Sequence, residues 1–204
     1  MKTRGTYASN WPKGAVVHFT AGAMGPEEQL RAGAEAGHAY WCIGRDGKLF
    51  CAHSAEEWGY HAGGSRWCHL PKKLRGNVSD DLIGIEVVCA GKVEEIASGE
   101  RWYRTWWNGL VPAKEVRYTP GVENQMPGHY HKFTPEQEGA LTETILWLKA
   151  QHPAIFDLDL VLGHDEVSGL AGLGWWRKND PGAALSMSLP AYREHLKKLW
   201  IRRS

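Results

Sequence analysis

The sequence predicts one α/β domain in which helices flank a central mixed β-sheet. The chain has 204 residues, a length at which a polypeptide usually folds around one hydrophobic core. Its 43% hydrophobic and 23% charged residues are typical of globular domains rather than of disordered or fibrous chains. Alternating apolar strands and capped helical stripes both occur along the chain, and this mixture is typical of the α/β class.

The first predicted elements are a strand and a helix. Residues 14–19 alternate in the manner of a strand, with His18 on one face and Val17 on the other. Pro26 suits the first position of a helix, and Gly37 suits its C-terminal end. We therefore expect a short helix between these two residues.

A β-hairpin is predicted over residues 40–52. A two-residue turn at 46–47 would place Cys42 opposite Cys51, so a disulfide between them is geometrically possible. The alternative is two small apolar side chains in a core, and the absence of an export signal favours it. The four cysteines, which also include Cys68 and Cys89, lack metal-ribbon or redox spacing. We expect them to be reduced and mostly buried.

Three further elements complete the predicted sheet and its helices. In the strand over residues 82–89 the odd positions are apolar, and Glu86 points the other way beside a glycine. Thr134 begins a capping box, which predicts a helix to about residue 151. Alternating leucines predict a last strand whose C-terminal end presents His164, and a closing helix follows Pro190.

The segment at residues 92–132 has no sustained strand or helix period. Tryptophans stand there among charged residues and glycines, so we interpret it as an irregular insertion. The chain has no internal repeat and no low-complexity linker. The prediction is therefore a single domain over residues 1–204.

Charge and hydropathy exclude several classes of partner. The 24 Lys and Arg residues nearly balance 23 Asp and Glu residues, which argues against nucleic acid. No apolar run approaches the ~18 residues of a membrane span. The N-terminal residues lack the hydrophobic region of a secretory signal. We expect a monomer without an ordinary export signal.

Histidines and acids at predicted strand ends suggest a metal site. His18, His164 and Asp180 stand in three separate segments, and two imidazoles with a carboxylate are a donor set of catalytic zinc. Such sites keep a position open for water. Spacing alone is weak support here, because the three segments are far apart in sequence.

These segments together resemble the zinc-dependent N-acetylmuramoyl-L-alanine amidases, which include phage endolysins, AmpD-like amidases and peptidoglycan recognition proteins. The family motifs are V-x-H-x-T-x-G, I-x-x-D-G, W-H-A-G, S-I-G-I-E, G-H and R-K-x-D-P-G. Their counterparts lie in that order at residues 16–22, 43–47, 60–63, 82–86, 163–164 and 177–182, with Tyr60 in the place of the family's tryptophan. Six ordered matches are far more specific than any one of them.

The resemblance implies a role for each matched residue. His18, His164 and Asp180 would bind Zn²⁺, Glu86 would act as the catalytic acid and base, and Lys178 would stabilise the oxyanion. The implied substrate is the amide between the lactyl group of N-acetylmuramic acid and L-alanine in bacterial peptidoglycan or muropeptides. The implied fold is that of the amidases and peptidoglycan recognition proteins.

Some roles stay open at this point. His61 either lines the cleft and touches substrate or bonds a loop, and Tyr40 and Arg177 are candidate substrate contacts that could equally be structural. The resemblance implies that residues 1–204 form a single catalytic amidase domain without a separate cell-wall-binding domain. A phage-type endolysin is the favoured biology: a protein synthesised in the bacterial cytoplasm that acts on the cell wall in the periplasm after release. A cytosolic muropeptide-recycling amidase and a non-catalytic peptidoglycan-binding module are the alternatives, and retention of Asp180 argues against the module.

Overall fold

A computed structural model describes residues 3–65, 78–96, 101–121, 125–168 and 177–203. The strands are β1 (Gly5–Thr6), β2 (Gly14–Phe19), β3 (Trp41–Ile43), β4 (Leu49–Cys51), β5 (Glu57–Trp58), β6 (Leu82–Val87), β7 (Lys92–Glu95), β8 (Trp102–Arg104), β9 (Leu110–Pro112), β10 (Val116–Thr119), β11 (Gly128–His131) and β12 (Val161–Gly163). The α-helices are α1 (Pro26–Glu35), α2 (Pro135–Gln151), α3 (His164–Ser168) and α4 (Leu189–Arg203).

The central sheet has the strand order β12-β2-β6-β3-β4. Its first four strands are parallel, and β4 is antiparallel to β3. Strand β2 is buried along its whole length because helices or loops cover both faces of the sheet. The predicted α/β fold with a central mixed sheet is confirmed.

The two faces of this sheet have different tasks. One face carries the odd residues of β2 and β6, such as Val17 and Ile85, and packs on α2 and α4 in the largest hydrophobic core. The predicted stripe of α2 lies in this core, and the capping box at Thr134 is formed. The opposite face carries His18 and Glu86 and is partly covered by α1. The first face stabilises the domain, and the second holds the polar residues.

The segment at residues 92–132 is not irregular, so that prediction is wrong. It contributes all the strands of a second five-stranded antiparallel sheet, in the order β10-β11-β7-β8-β9. The strands are three or four residues long and carry several exposed side chains. Tyr130 of β11 points into the main core, whereas Trp102 and Tyr118 are exposed. Such mixed burial hides the two-residue period in the sequence.

The hairpin of β3 and β4 has a different register from the predicted one. Its loop spans residues 44–48, so Cys42 pairs with Phe50, and Cys51 pairs with Trp41. Because side chains alternate between faces, Cys42 and Cys51 lie on opposite sides of the sheet. Both are free thiols; Cys42 is buried and Cys51 is exposed. Cys89 is buried as expected, and Cys68 lies outside the described residues.

The end of the chain closes the domain as predicted, with one difference. The last strand of the sheet is only Val161–Gly163, because Leu158–Leu160 forms a 3-10 turn before it. His164 follows this strand directly as the first residue of α3. Among the described residues, no helix combines the length and apolarity that crossing a bilayer requires.

Candidate active site

Parallel pairing brings the polar residues to one end of the central sheet. His18 on β2 stands directly beside Glu86 on β6 in the parallel register. On the other side of β2, Gly163 pairs with Val17, so His164 emerges next to His18. Residues at the carboxyl ends of neighbouring parallel strands meet at the same edge, which is where α/β folds usually place their sites.

The three predicted metal ligands converge. Nδ1 of His18 lies 2.9 Å from Oδ2 of Asp180, and Nδ1 of His164 lies 3.1 Å from the same oxygen. The three donor atoms all lie within 4.8 Å of one another, and all three residues are buried. Side chains that are distant in sequence therefore share one small volume.

The outer nitrogens of both imidazoles show which tautomers are present. Nε2 of His164 faces the carbonyl oxygen of Ala62 at 3.2 Å, so this nitrogen is the donor. Nε2 of His61 likewise donates to the carbonyl oxygen of Leu82, 2.9 Å away. Burial, and next the neighbouring His18, hold the pKa of His61 well below its usual value, so its Nδ1 accepts. That Nδ1 lies 3.0 Å from Nε2 of His18 and accepts a hydrogen bond from it.

The inner nitrogens of His18 and His164 both face one oxygen of the Asp180 carboxylate. Burial, and next the neighbouring His164, lower the pKa of His18 to about 4, so its ring is neutral near pH 7. Burial would raise the pKa of Asp180, but His164 and His18 together hold it below its usual value. Two imidazoles and a carboxylate with ligand atoms within 4.8 Å of one another fit zinc, and the outer partners have the orienting role that metal-binding histidines require.

Glu86 lies beside His18 in the sheet, next to this cluster. Its Oε2 is buried and lacks a hydrogen-bond partner among the residues that the structure describes. Burial, and next the negative charge of Asp180, raise the pKa of Glu86 to about 8, although Lys178 opposes the shift. A buried carboxyl with a raised pKa is suited to accept and return a proton. Its role as acid and base stays a prediction.

His61 has a structural partner rather than an open cleft position. The residue is buried and bonded at both ring nitrogens, to His18 and to Leu82. His61 is thus held by hydrogen bonds, which was one of the two alternatives. Its partners are the candidate metal ligand His18 and the backbone carbonyl of Leu82. Gly84 makes room for the ring, because a Cβ there would lie 2.6 Å from Cγ of His61.

The other predicted site residues lie further from the cluster. Lys178 is exposed, and its charge acts on the pKa values of Glu86 and His18. Arg177 is exposed and donates to Oγ of Ser65 at 3.2 Å. Tyr40 is buried against α1, where its hydroxyl donates to the carbonyl oxygen of Gln29 at 3.1 Å. Tyr40 packs against α1 in this geometry, and the proposed roles of Tyr40, Lys178 and Arg177 towards substrate stay predictions.

Backbone groups support the cluster in ways that the sequence analysis missed. The carbonyl of Ala62 orients His164, and the amide of Asp165 donates to the carbonyl of Asp180 at 2.8 Å. A hydrogen bond to a backbone carbonyl or amide requires no particular residue type, so the sequence does not reveal it. The H-A-G motif was the available signal, because it places His61 and Ala62 side by side.

Comparison with known proteins gives the family context of this geometry. The family model described as N-acetylmuramoyl-L-alanine amidase matches residues 8–183. Among curated proteins, none matches the sequence. The sequence match is therefore the one to the family model.

Solved structures of similar fold include AmpDh3 from Pseudomonas aeruginosa in complex with anhydromuramic pentapeptide, at 19% identity and a TM-score of 0.59. That alignment covers 97% of this chain and 64% of AmpDh3, so this chain spans less than two thirds of that protein. An AmpD derivative aligns at 17% identity and a TM-score of 0.54, covering 96% of this chain and 92% of AmpD. The amidase LysC from Clostridium intestinale aligns at 16% identity and 0.51, covering 98% and 93%. At these identities the likeness supports the fold.

Proposed function

We propose, because the chain belongs to the N-acetylmuramoyl-L-alanine amidase family, that it hydrolyses the amide between N-acetylmuramic acid and the L-alanine of the stem peptide. The observation that carries the proposal is the convergence of Nδ1 of His18 and Nδ1 of His164 on one oxygen of the Asp180 carboxylate. AmpDh3 and the E. coli amidase AmiD were each solved with an anhydromuramyl peptide, which supports this substrate class.

His18, His164 and Asp180 would hold a zinc ion, which would supply the charge that lowers the pKa of a water molecule and polarises the substrate carbonyl. His61 and the Ala62 carbonyl keep Nδ1 of both histidines aimed inward. These outer bonds orient the two imidazoles towards Asp180.

Glu86 moves the proton. It stands beside His18 in the sheet and takes a proton from the attacking water as the carbon–oxygen bond forms. The same carboxyl then gives that proton to the alanine nitrogen as the carbon–nitrogen bond breaks. The products are a lactyl carboxylate and a free α-amine. Lys178 is an exposed cation near Glu86 and would stabilise the negative charge on the reacting carbonyl oxygen.

For the biological setting we propose an endolysin-type enzyme that acts on intact cell wall. Similar folds include both an endolysin-type amidase and AmpD, so the fold is compatible with lysis and with recycling. The two roles differ in substrate: insoluble sacculi for lysis and soluble muropeptides for recycling. That difference can be measured directly.

The test is release of new alanine amino termini from purified sacculi and from soluble muropeptides, with zinc content measured in parallel. We expect zinc in the active protein, loss of activity on chelation and recovery when zinc is restored. Asp180→Ala should lower the zinc stoichiometry. Activity that survives complete metal removal contradicts the mechanism. Activity confined to soluble fragments keeps the chemistry and overturns the lytic role.

A further inference from the structure

The second sheet brings one tryptophan to the loop beside the metal-ligand cluster. Trp106 lies in the turn between β8 and β9, and its indole Nε1 donates to the carbonyl oxygen of Ala21 at 2.6 Å. Ala21 belongs to the loop that leaves β2 directly after His18. The tip of the hairpin is therefore joined to the segment that follows a candidate metal ligand.

The ring of this tryptophan is fixed in orientation but not covered. Trp106 is 74% exposed, more than any other tryptophan that the structure describes as exposed. Its ring meets Trp107 nearly edge-on, with the centroids 5.6 Å apart and the planes at 85°. A hydrogen bond at the ring edge and one perpendicular neighbour leave aromatic surface open to solvent. Because the ring is already oriented, a ligand that stacks on it loses little further conformational freedom.

The loop next to Trp106 also borders open space on the site side of the sheet. Ala23 and Met24, which follow Ala21 in this loop, line a pocket that extends to Val88. Val88 follows β6, the strand of Glu86. One loop thus contacts Trp106 and walls a cavity beside the strand that carries the proposed acid and base. The loop between β2 and α1 therefore links the exposed indole to the strand that carries His18.

We propose that Trp106 is a stacking platform for a sugar ring of the peptidoglycan glycan strand, next to the muramic acid whose amide is cleaved. This inference rests on the proposed function. The C–H faces of pyranose rings are apolar and pack on flat aromatic surfaces. With a formal charge of only +1, the chain has little long-range charge with which to hold the wall. The occupant is therefore a neutral N-acetylated amino sugar rather than an anionic polymer.

The test compares two variants of Trp106 with a matched control. Trp106→Ala removes the aromatic face, whereas Trp106→Phe keeps a face and removes the N–H that binds Ala21. Trp102→Ala is the control, because Trp102 is also exposed and lies on β8 of the same hairpin. Each protein is assayed on a muramyl-peptide monosaccharide and on a glycan oligomer that carries the same peptide. Each is also titrated with peptide-free glycan strands.

We expect Trp106→Ala to raise KM for the oligomer about tenfold relative to the monosaccharide, with a similar loss of glycan affinity. Trp106→Phe should keep most of the oligomer preference, and Trp102→Ala should match the wild type. Equal losses on both substrates, or a Trp106→Phe loss as large as that of Trp106→Ala, would overturn stacking in favour of a loop-holding role. Behaviour of Trp106→Ala like that of the control would also overturn it.

The design separates this inference from the proposed function. If the wild type cleaves neither substrate, the amidase proposal fails, and the glycan titration still decides the role of Trp106. If the wild type cleaves both and the glycan titration does not distinguish Trp106→Ala from Trp102→Ala, only the stacking platform is wrong.

Discussion

The central sheet and the second sheet differ in how their polar and aromatic side chains are held. At the site end of the central sheet, His18, His61 and Asp180 are buried, and each has partners that fix its orientation. In the second sheet, Trp102, Trp106 and Tyr118 are exposed. The comparison teaches that the first region is built for preorganised chemistry, and that the second offers surface for contact. Changes in the first should therefore alter catalysis or metal binding, and changes in the second should alter only stability or substrate choice.

The largest expected effect is on turnover, from Glu86→Gln. Loss of the proton-transferring carboxyl should lower kcat by about 10² to 10⁴, because general acid and base catalysis contributes about that much. The zinc content should stay near that of the wild type. The matched change in the second sheet is Glu94→Gln, on an exposed residue that lies 3.4 Å from Arg104 and should keep full activity. Full activity of Glu86→Gln would remove Glu86 from its proposed role.

The next effect is on metal affinity, from His61→Ala. Without its acceptor, Nε2 of His18 loses the bond that fixes the ring, so zinc affinity should fall about 10-fold to 100-fold. Competition with a calibrated chelator measures this change. Gly84→Ala should shift affinity in the same direction, because the new Cβ meets the His61 ring.

A histidine in the second sheet provides the control for this prediction. The ring of His129 packs between Tyr103 and Tyr118, with centroid distances of 4.7 and 5.0 Å. His129→Ala should leave zinc affinity unchanged. If His61→Ala and His129→Ala behave alike, orientation by His61 contributes nothing to metal binding, and the contrast between the two sheets is lost at this point.

The smallest expected effect is on stability, from Arg117→Ala on β10 of the second sheet. Nη1 of Arg117 donates to the carbonyls of Ala183 and Leu185, in the segment that follows Asp180, at 3.0 and 2.7 Å. Leaving these acceptors without a partner should lower the free energy of unfolding by about 2 kcal/mol, as measured in urea. The exposed Arg104 lies 3.4 Å from Glu94, so Arg104→Ala should cost under about 1 kcal/mol. Equal losses would mean that the Arg117 bonds contribute no more to stability than an exposed ion pair.

The parts that could be predicted from sequence are those with a strong local pattern. The alternation in β2 and β6 separated His18 and Glu86 from the apolar faces of their strands, and the capping box located α2. The convergence of His18, His164 and Asp180 followed from a family resemblance, because no local rule joins residues that lie so far apart. The strands of the central sheet can thus be recognised in the sequence, because full burial requires a regular apolar pattern along them.

The parts that could not be predicted depend on tertiary context. The short strands of the second sheet carry exposed and buried residues in no regular order, since some of them pack on the main core and others face solvent. The register of β3 and β4 was misjudged because Asp46 and Gly47 belong to a five-residue loop, in which the Asp46 side chain accepts from the amide of Lys48. Asp46 and Gly47 fit a two-residue turn as well as a five-residue loop, so these residue types do not determine the register.

The side-by-side position of His18 and Glu86 in a parallel ladder has a consequence for how the enzyme can vary. Neighbouring strands in any sheet are about 4.8 Å apart, so the spacing of the sheet sets the separation between the backbones of His18, the proposed metal ligand, and Glu86, the proposed acid and base. A one-residue slip would turn Glu86 into the helix-packed core, and such a slip is strongly disfavoured. The peripheral hairpins can therefore be lengthened, shortened or exchanged while the reaction geometry stays constant, which leaves specificity free to diverge on an unchanging catalytic frame.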